Sequence, residues 1–277
     1  MTPAPHSQGE YALRQTEAAR RVLVDVGQVL ASFADCLVLV GGWIPDLLLP
    51  DTDPPHVGSI DVDFVLDAAR LNDGRYAALV TLLLETGRYR AGEKTFQLVV
   101  DVDLEDGEPP LQVEVDFLAP DDVKTEKNNP KLIGDFRVLK VESAREAFRN
   151  PQSLRLSGRN VRGAENTVVL QVVSIADFLV MKAHAIGRRD KPKDVYDLCY
   201  CLEHFPDGMD PLAADWKLRT DNKTVAKAVE ILREKFAAVE TYGPQQLAVF
   251  HAALDAETRT MHARRAFELV RKFLSQV

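Results

Sequence analysis

The stretch LVLVGGWIPDLLLPDTDPPHVGSIDVDFVLD, residues 37–67, restricts the fold more than any other part of the chain. Residues 36–40 are an apolar run that reads as a short buried strand. Gly41-Gly42 ends it, and residues 43–49 read as a short helix stopped by Pro50. The Pro- and Asp-rich PDTDPPHVGS is a loop, and residues 60–66 return as a second strand. That strand carries Asp61 and Asp63. Aspartate is a poor strand former, and residues i and i+2 of a strand share a face. Two like charges therefore stand side by side, while Ile60, Val62 and Phe64 turn to the opposite face. Either the acidic face is wet or a cation sits on it.

The rest of the chain supplies the frame. Residues 10–33 read as an amphipathic helix through Leu13, Ala18, Val22, Val26 and Leu30, and residues 72–85 as a second helix. RYRAGEKTFQLVVDVDL and LQVEVDFLAP, separated by EDGEPP, form a hairpin of two long strands. Residues 119–150 are polar and irregular, with EKNNPK an exposed loop, and residues 153–173 hold more strand. From Ile175 onward every segment is helical in pattern. Mixed strands and helices followed by helices alone predict an α+β chain in two parts, 1–173 and 174–277.

Composition sets outer bounds. A chain of 277 residues, 46% hydrophobic and 27% charged, can bury a sizeable core. No apolar run approaches the roughly 18 residues of a membrane span, and MTPAPHSQGEYALRQ lacks the apolar region of a signal peptide. The three cysteines, Cys36, Cys199 and Cys201, have no metal-ligand spacing and read as buried free thiols, which points to a reducing cytoplasm. A formal net charge of −8 argues against non-specific nucleic-acid binding as the main work, but leaves room for an enzyme with a local basic track.

The hairpin repeats the acidic arrangement. Leu111, Val113, Val115 and Phe117 share one face; Gln112, Glu114 and Asp116 share the other. If this strand neighbours the Asp61–Asp63 strand, three or four carboxylates converge, a costly cluster unless protonated, solvated or neutralised. Hard carboxylate oxygens suit Mg²⁺ or Mn²⁺. An ordinary solvent-facing strand also carries acidic residues often, and Asp101-Val-Asp103 shows how common the pattern is. Gly41-Gly42 allows close backbone approach and presents N–H groups to an anion. Neither a Walker A nor a G-x-G-x-x-G fingerprint is present.

The order strand, Gly-Gly, short helix, loop, D-x-D resembles the signature of the polymerase-β-like nucleotidyltransferase superfamily, and GGW resembles the opening of small antibiotic nucleotidyltransferases. DFLVMKAHAIGRRDKPKDVYDLCYCL resembles the AbiEii/AbiGii-type nucleotidyltransferase toxins, with Lys182, Lys193, Asp194 and Asp197 at the matching positions. Gly42 stands where many members carry serine, so backbone N–H would have to replace a hydroxyl. The resemblance implies a mixed sheet with flanking helices, followed by a helical domain that completes the active site. It implies Mg²⁺ or Mn²⁺ on Asp61, Asp63 and Asp116, with Glu114 the alternative third carboxylate. It further implies a nucleoside triphosphate at Gly41, Gly42, Lys182 and Lys193, and an RNA acceptor such as tRNA, with a possible antitoxin partner. A small-molecule antibiotic acceptor and a non-catalytic nucleotide-binding module are the alternatives.

The lysine helix also has a direct reading. Lys182 lies one turn from Phe178, so it can leave a packed face and reach a triphosphate as a point charge. Pro192 suits the first turn of the next helix, with Asp190 as its cap. Asp194 and Asp197 lie one turn apart on one face and could orient Lys182 or Lys193, or act as base. The competing expectation is a surface salt-bridge network. His56 reads as a solvated loop residue, His184 as a helix-surface residue, and Trp43 as a core anchor beneath the site.

Overall fold

The computed structural model describes residues 7–67, 70, 73–122, 138–252 and 254–277. The EKNNPK segment lies outside them. The chain divides into two compact units, one comprising Leu13–Ile44 and Ser59–Ser174, the other Met1–Ala12, Pro45–Gly58 and Ile175–Val277.

The first unit is built on a mixed sheet. Its strands are β1 (Leu37–Val40), β2 (Asp61–Leu66), β3 (Arg90–Ala91), β4 (Gln97–Val102), β5 (Leu111–Pro120), β6 (Leu139–Val141), β7 (Gln152–Arg159) and β8 (Glu165–Val172). Their order is β3-β4-β5-β2-β1-β8-β7, with β6 paired to β5. β1 runs antiparallel to β2 and parallel to β8, and β2 runs parallel to β5. All of β1 is buried, as expected of a central apolar strand. β5 alternates instead, with Val113, Val115 and Phe117 buried and Glu114 and Asp116 half-buried. The expected long first hairpin strand is interrupted: the backbone turns between Gly92 and Gln97, leaving the short β3 before β4.

The apolar face is covered by helix. α1 (Leu13–Val29) buries Ala18, Ala19, Val22, Leu23 and Val26, and α3 (Asp73–Glu85) buries Leu79, Val80 and Leu83. At Gly27 an added Cβ would stand 2.9 Å from Leu170, so this glycine lets α1 lie close on β8. Buried Asp25 on α1 is satisfied by Arg88 at 3.0 Å and by the Tyr89 hydroxyl at 2.8 Å.

The second unit is helical: α4 (Ile175–Arg188), α5 (Pro192–His204), α6 (Asp210–Lys217), α7 (Lys223–Lys235), α8 (Tyr242–Phe250) and α9 (Ala256–Leu274). The remaining helix, α2 (Trp43–Leu48), lies where the chain passes from the first unit to the second. Trp216, Phe178, Phe250 and Phe273 are fully buried, and the Trp216 indole donates to the Ala176 carbonyl at 3.0 Å. Asn222 caps α7 and Asp255 caps α9 through backbone N–H groups of the first turn. α5 departs from expectation: it starts at Pro192, so the cap position falls on Lys191, without a side-chain cap. Asp190 instead accepts from the Tyr242 hydroxyl at 3.0 Å. Cys36, Cys199 and Cys201 are buried free thiols. Among the described residues no helix is long and apolar enough to cross a membrane.

Candidate active site

The parallel pairing of β2 with β5 sets Asp61 opposite Glu114 and Asp63 opposite Asp116. Two strands far apart in sequence thus place four carboxylates on one sheet face. Val62 and Phe64 face the core with Val115 and Phe117; the Phe64 and Phe117 rings are 6.4 Å apart. Burying the apolar half of each strand turns the acidic half outward.

Local contacts place each acid. Trp43 is 2% exposed, and its indole donates to the Asp61 carbonyl at 2.9 Å, which makes it the anchor expected beneath the site. The Ser59 hydroxyl donates to the Asp61 carboxylate. Gly41 has φ +75°, and a Cβ there would stand 2.1 Å from Asp63 Oδ2. The close approach that glycine permits is therefore first of all the seat of Asp63. Gly42 is buried beside it. Gln97, at the start of β4, faces Asp116 across the sheet and donates to Asp116 Oδ1 at 3.0 Å and to Glu114 Oε2 at 2.7 Å.

Asp116 is the electrostatic focus. Burial, then the charges of Asp61 and Glu114, push its carboxyl up to about 6, against the opposing bond from Gln97 and the charge of Lys94. Asp101, in the other D-x-D, has the opposite fate: Arg90 forks onto it at 2.8 and 3.0 Å and lowers its carboxyl. The arginine separates an ordinary acidic strand from the unusual one.

The donors around Asp116 fit a hard divalent cation in kind: carboxylate oxygens from adjacent strands, mutually repelling, with the Asp116 carboxyl raised first by burial and then by Asp61 and Glu114. As their side chains stand, they turn toward Ser59, Gly41 and Gln97. Among the described residues no three His, Cys, Asp or Glu side chains are grouped so as to hold a metal ion.

The second constellation belongs to the helical unit and is buried, so the expected surface network is not what forms. Lys182 on α4 lies 2.7 Å from both Asp194 Oδ1 and Asp197 Oδ2 on α5. Lys193 lies 2.7 Å from Asp197 Oδ1 and 5.4 Å above the Tyr11 ring. Arg189 forks onto Asp194 at 2.7 and 2.9 Å. Burial works to lower the Lys182 ammonium, but Asp194 and Asp197 hold it above its ordinary value. Burial lowers Lys193, with the countercharge of Asp197 opposing it. Burial works to raise both carboxyls, yet Lys182 with Arg189 holds Asp194 far down, and Lys182 with Lys193 does the same for Asp197. The two lysines expected to present charge to a triphosphate are thus committed to carboxylates.

His56 corrects the expectation of a solvated loop residue. It is 6% exposed, and its Nδ1 accepts from the Gly58 N–H at 3.1 Å. The proton therefore resides on Nε2, which donates to Asp197 Oδ1 at 2.9 Å. Burial and Lys193 lower the ring to about 4, so it is neutral at pH 7. The loop is pinned because the Tyr200 hydroxyl donates to the Pro54 carbonyl at 3.1 Å and also bonds the Thr52 hydroxyl. His184 is likewise buried, its Nε2 on the Thr224 carbonyl at 2.9 Å. Neither His56 nor Gln97 has a local motif; only the pairing of distant segments reveals them.

The family model "Nucleotidyl transferase AbiEii toxin, Type IV TA system" matches residues 22–268. No curated protein matches the chain. Among solved structures, the chain is similar to an antigenic nucleotidyltransferase-like protein from Paracoccidioides brasiliensis at 19% identity. That match has a TM-score of 0.44 and covers 84% of this chain and 91% of that one. With the family match spanning most of its length, the chain belongs to the AbiEii nucleotidyl transferase toxin family of type IV toxin–antitoxin systems and is a nucleotidyltransferase.

Proposed function

We propose that this protein transfers a nucleoside monophosphate from a nucleoside triphosphate to a hydroxyl of an RNA acceptor such as tRNA, in the cytoplasm. Asp61, Asp63 and Asp116 would hold Mg²⁺ or Mn²⁺, and a cognate antitoxin is the protein partner. One observation carries the reading: β2 and β5 set Asp61, Asp63, Glu114 and Asp116 in register on one face. When bound, the cation would polarise the phosphoryl oxygens and stabilise the departing pyrophosphate.

The chain's own residues order the reaction. Trp43 holds the Asp61 backbone, and Gly41 leaves room for the Asp63 carboxylate. The N–H groups of Gly41 and Gly42 are assigned to the triphosphate, while Lys182 and Lys193 stay paired with Asp194 and Asp197. The acceptor oxygen bonds to the α-phosphorus as the bond to pyrophosphate breaks. Asp116, on the acidic face beside Asp61 and Asp63, is placed to take the hydroxyl proton. An RNA acceptor is supported by exposed Arg264, Arg271 and Lys272 on α9, a local basic strip interrupted by Glu268 on a chain of net charge −8.

The test is transfer of label from each nucleoside triphosphate, with Mg²⁺, to total RNA and then to aminoglycosides and lincosamides. Label on RNA is expected, and its loss, by about 10³-fold or more, in the Asp61→Ala, Asp63→Ala double variant with an unchanged circular dichroism spectrum. Undiminished transfer by that folded variant sinks the assignment. Label only on the antibiotics replaces the acceptor, and metal-dependent nucleotide binding without transfer to anything replaces the enzyme with a binding module.

A further inference from the structure

Gln97 is 2% exposed at the edge of the acidic face. Its backbone is fastened on both sides: its N–H donates to the Lys94 carbonyl at 3.1 Å, and its carbonyl accepts from the Gly92 N–H at 2.9 Å. The side chain can lie where it does because residue 92 is glycine; a Cβ there would stand 2.6 Å from Gln97 Oε1. The amide has one chemically sensible orientation. Two carboxylate oxygens, Glu114 Oε2 at 2.7 Å and Asp116 Oδ1 at 3.0 Å, demand the NH₂ group, which has a hydrogen for each. Glu114 Oε2 is drawn further to that side by Lys94 at 3.4 Å.

We propose that Gln97 is a positioning residue for nucleotidyl transfer: its amide presents Asp116 to the reaction and ties Glu114 back, which makes Asp116 the third carboxylate. The proposal rests on reading Asp61, Asp63 and Asp116 as the reacting carboxylates. A neutral double donor is the side chain this place requires. A lysine would quench the charge on both acids, a glutamate would add a further repelling charge, and an apolar residue would leave two adjacent carboxylates without an intervening dipole. Holding Asp116 by one oxygen leaves its other oxygen to the acidic face. The hydrogen-bonded partners of ligating carboxylates typically matter at the level of about 10–100-fold in affinity or rate.

The experiment compares wild type, Gln97→Met, Gly92→Ala and the double variant. Mn²⁺ binding is read by calorimetry without nucleotide, kcat and KM for the nucleotide by label transfer, and folding by thermal melting. Gln97→Met keeps length and burial but removes the donor. Gly92→Ala displaces the amide while leaving every carboxylate in place, so it serves even where Gln97→Met does not fold. Each single variant is expected to weaken Mn²⁺ binding and lower kcat by about 10–100-fold with KM changed less than about threefold. The double variant is expected to be no worse than the weaker single one. Mn²⁺ affinity and kcat within about twofold of wild type in either folded variant overturn the role of Gln97. Wild-type protein that binds no Mn²⁺, or binds it equally well after Asp61→Ala, Asp63→Ala, overturns the underlying assignment and the inference with it.

Discussion

Asp116 and Asp197 are both aspartates set among other charges, and their carboxyls move in opposite directions. Asp116 stands on a sheet face beside Asp61 and Glu114, and burial together with their repulsion raises it to about 6 against the Gln97 bond and the Lys94 charge. Asp197 is 0% exposed, which should raise it further, yet Lys182 and Lys193 at 2.7 Å and the bond from His56 hold it far below its ordinary value. The first region keeps four carboxylates together against one exposed lysine, Lys94, and the Gln97 amide, whereas the second matches its buried carboxylates with cations and donors. Burial alone does not set a carboxylate's behaviour; the sign of its neighbours does. The sheet face leaves carboxylates beside one another, whereas the helical network pairs its own with lysines and an arginine. A stability-neutral loss of activity is therefore expected from the first region, and a loss of stability from the second.

The largest effect on folding tests the second half of that contrast. Asp197→Asn leaves Lys182 and Lys193 short of a buried countercharge, and breaking a buried pair from one side costs about 3–5 kcal/mol. Urea unfolding should show that loss, whereas the Asp61→Ala, Asp63→Ala double variant should unfold no earlier than wild type. Equal midpoints for Asp197→Asn and wild type would erase the distinction between the regions.

Opposite pH dependences provide a sharper measure. Asp194 and Asp197 are lowered, so their contribution to stability is present above the unfolded value of 3.8 and is lost as pH falls through their lower folded values. Asp116 is raised from 3.8 to about 6, so its contribution is present below 3.8 and is lost as pH rises through about 6. Asp116→Asn should accordingly be more stable than wild type above pH 6, on the order of 2 kcal/mol, with the difference vanishing toward pH 4. Melting curves across that range that run parallel for the two proteins would remove the electrostatic focus from Asp116.

The smallest expected effect sits at the seam between backbone and charge. Gly41→Ala places a Cβ against the Asp63 carboxylate and forces alanine to a φ of +75°. The strain is about 1–2 kcal/mol. Loss of transfer should exceed loss of stability, since Asp63 is the group displaced. Alanine with undiminished transfer would mean that the glycine serves only the turn.

Much of this arrangement is legible along the chain. Alternation in residues 111–117 separates a core face from an acidic face because side chains of a strand alternate whatever the strand pairs with. Gly41-Gly42 before a short helix, and the 3.6-residue pattern from Ile175 onward, are equally local. The spacing of Asp194 and Asp197 puts both on one side of α5 for the same reason. His56 was legible only as a polar residue in a Pro-rich loop; its partner Asp197 is 141 residues away. Gln97 reads as one polar residue at the edge of an apolar strand until β4 is laid against β5. Burial of the lysine network was illegible too, since a charged helix face looks the same whether water or another helix covers it.

The sequence by itself determined the periodicities, the turn at Gly41 and the chemical types on each face, because backbone geometry and side-chain alternation act between near neighbours. Tertiary structure alone decided that β2 and β5 lie parallel in a register that matches Asp63 with Asp116. It likewise decided that Arg90 answers Asp101 and that Lys182 lies between Asp194 and Asp197. Coulomb interactions depend on distance in space rather than along the chain. Whether a carboxylate is quenched or left charged among its like is therefore settled only when the segments meet.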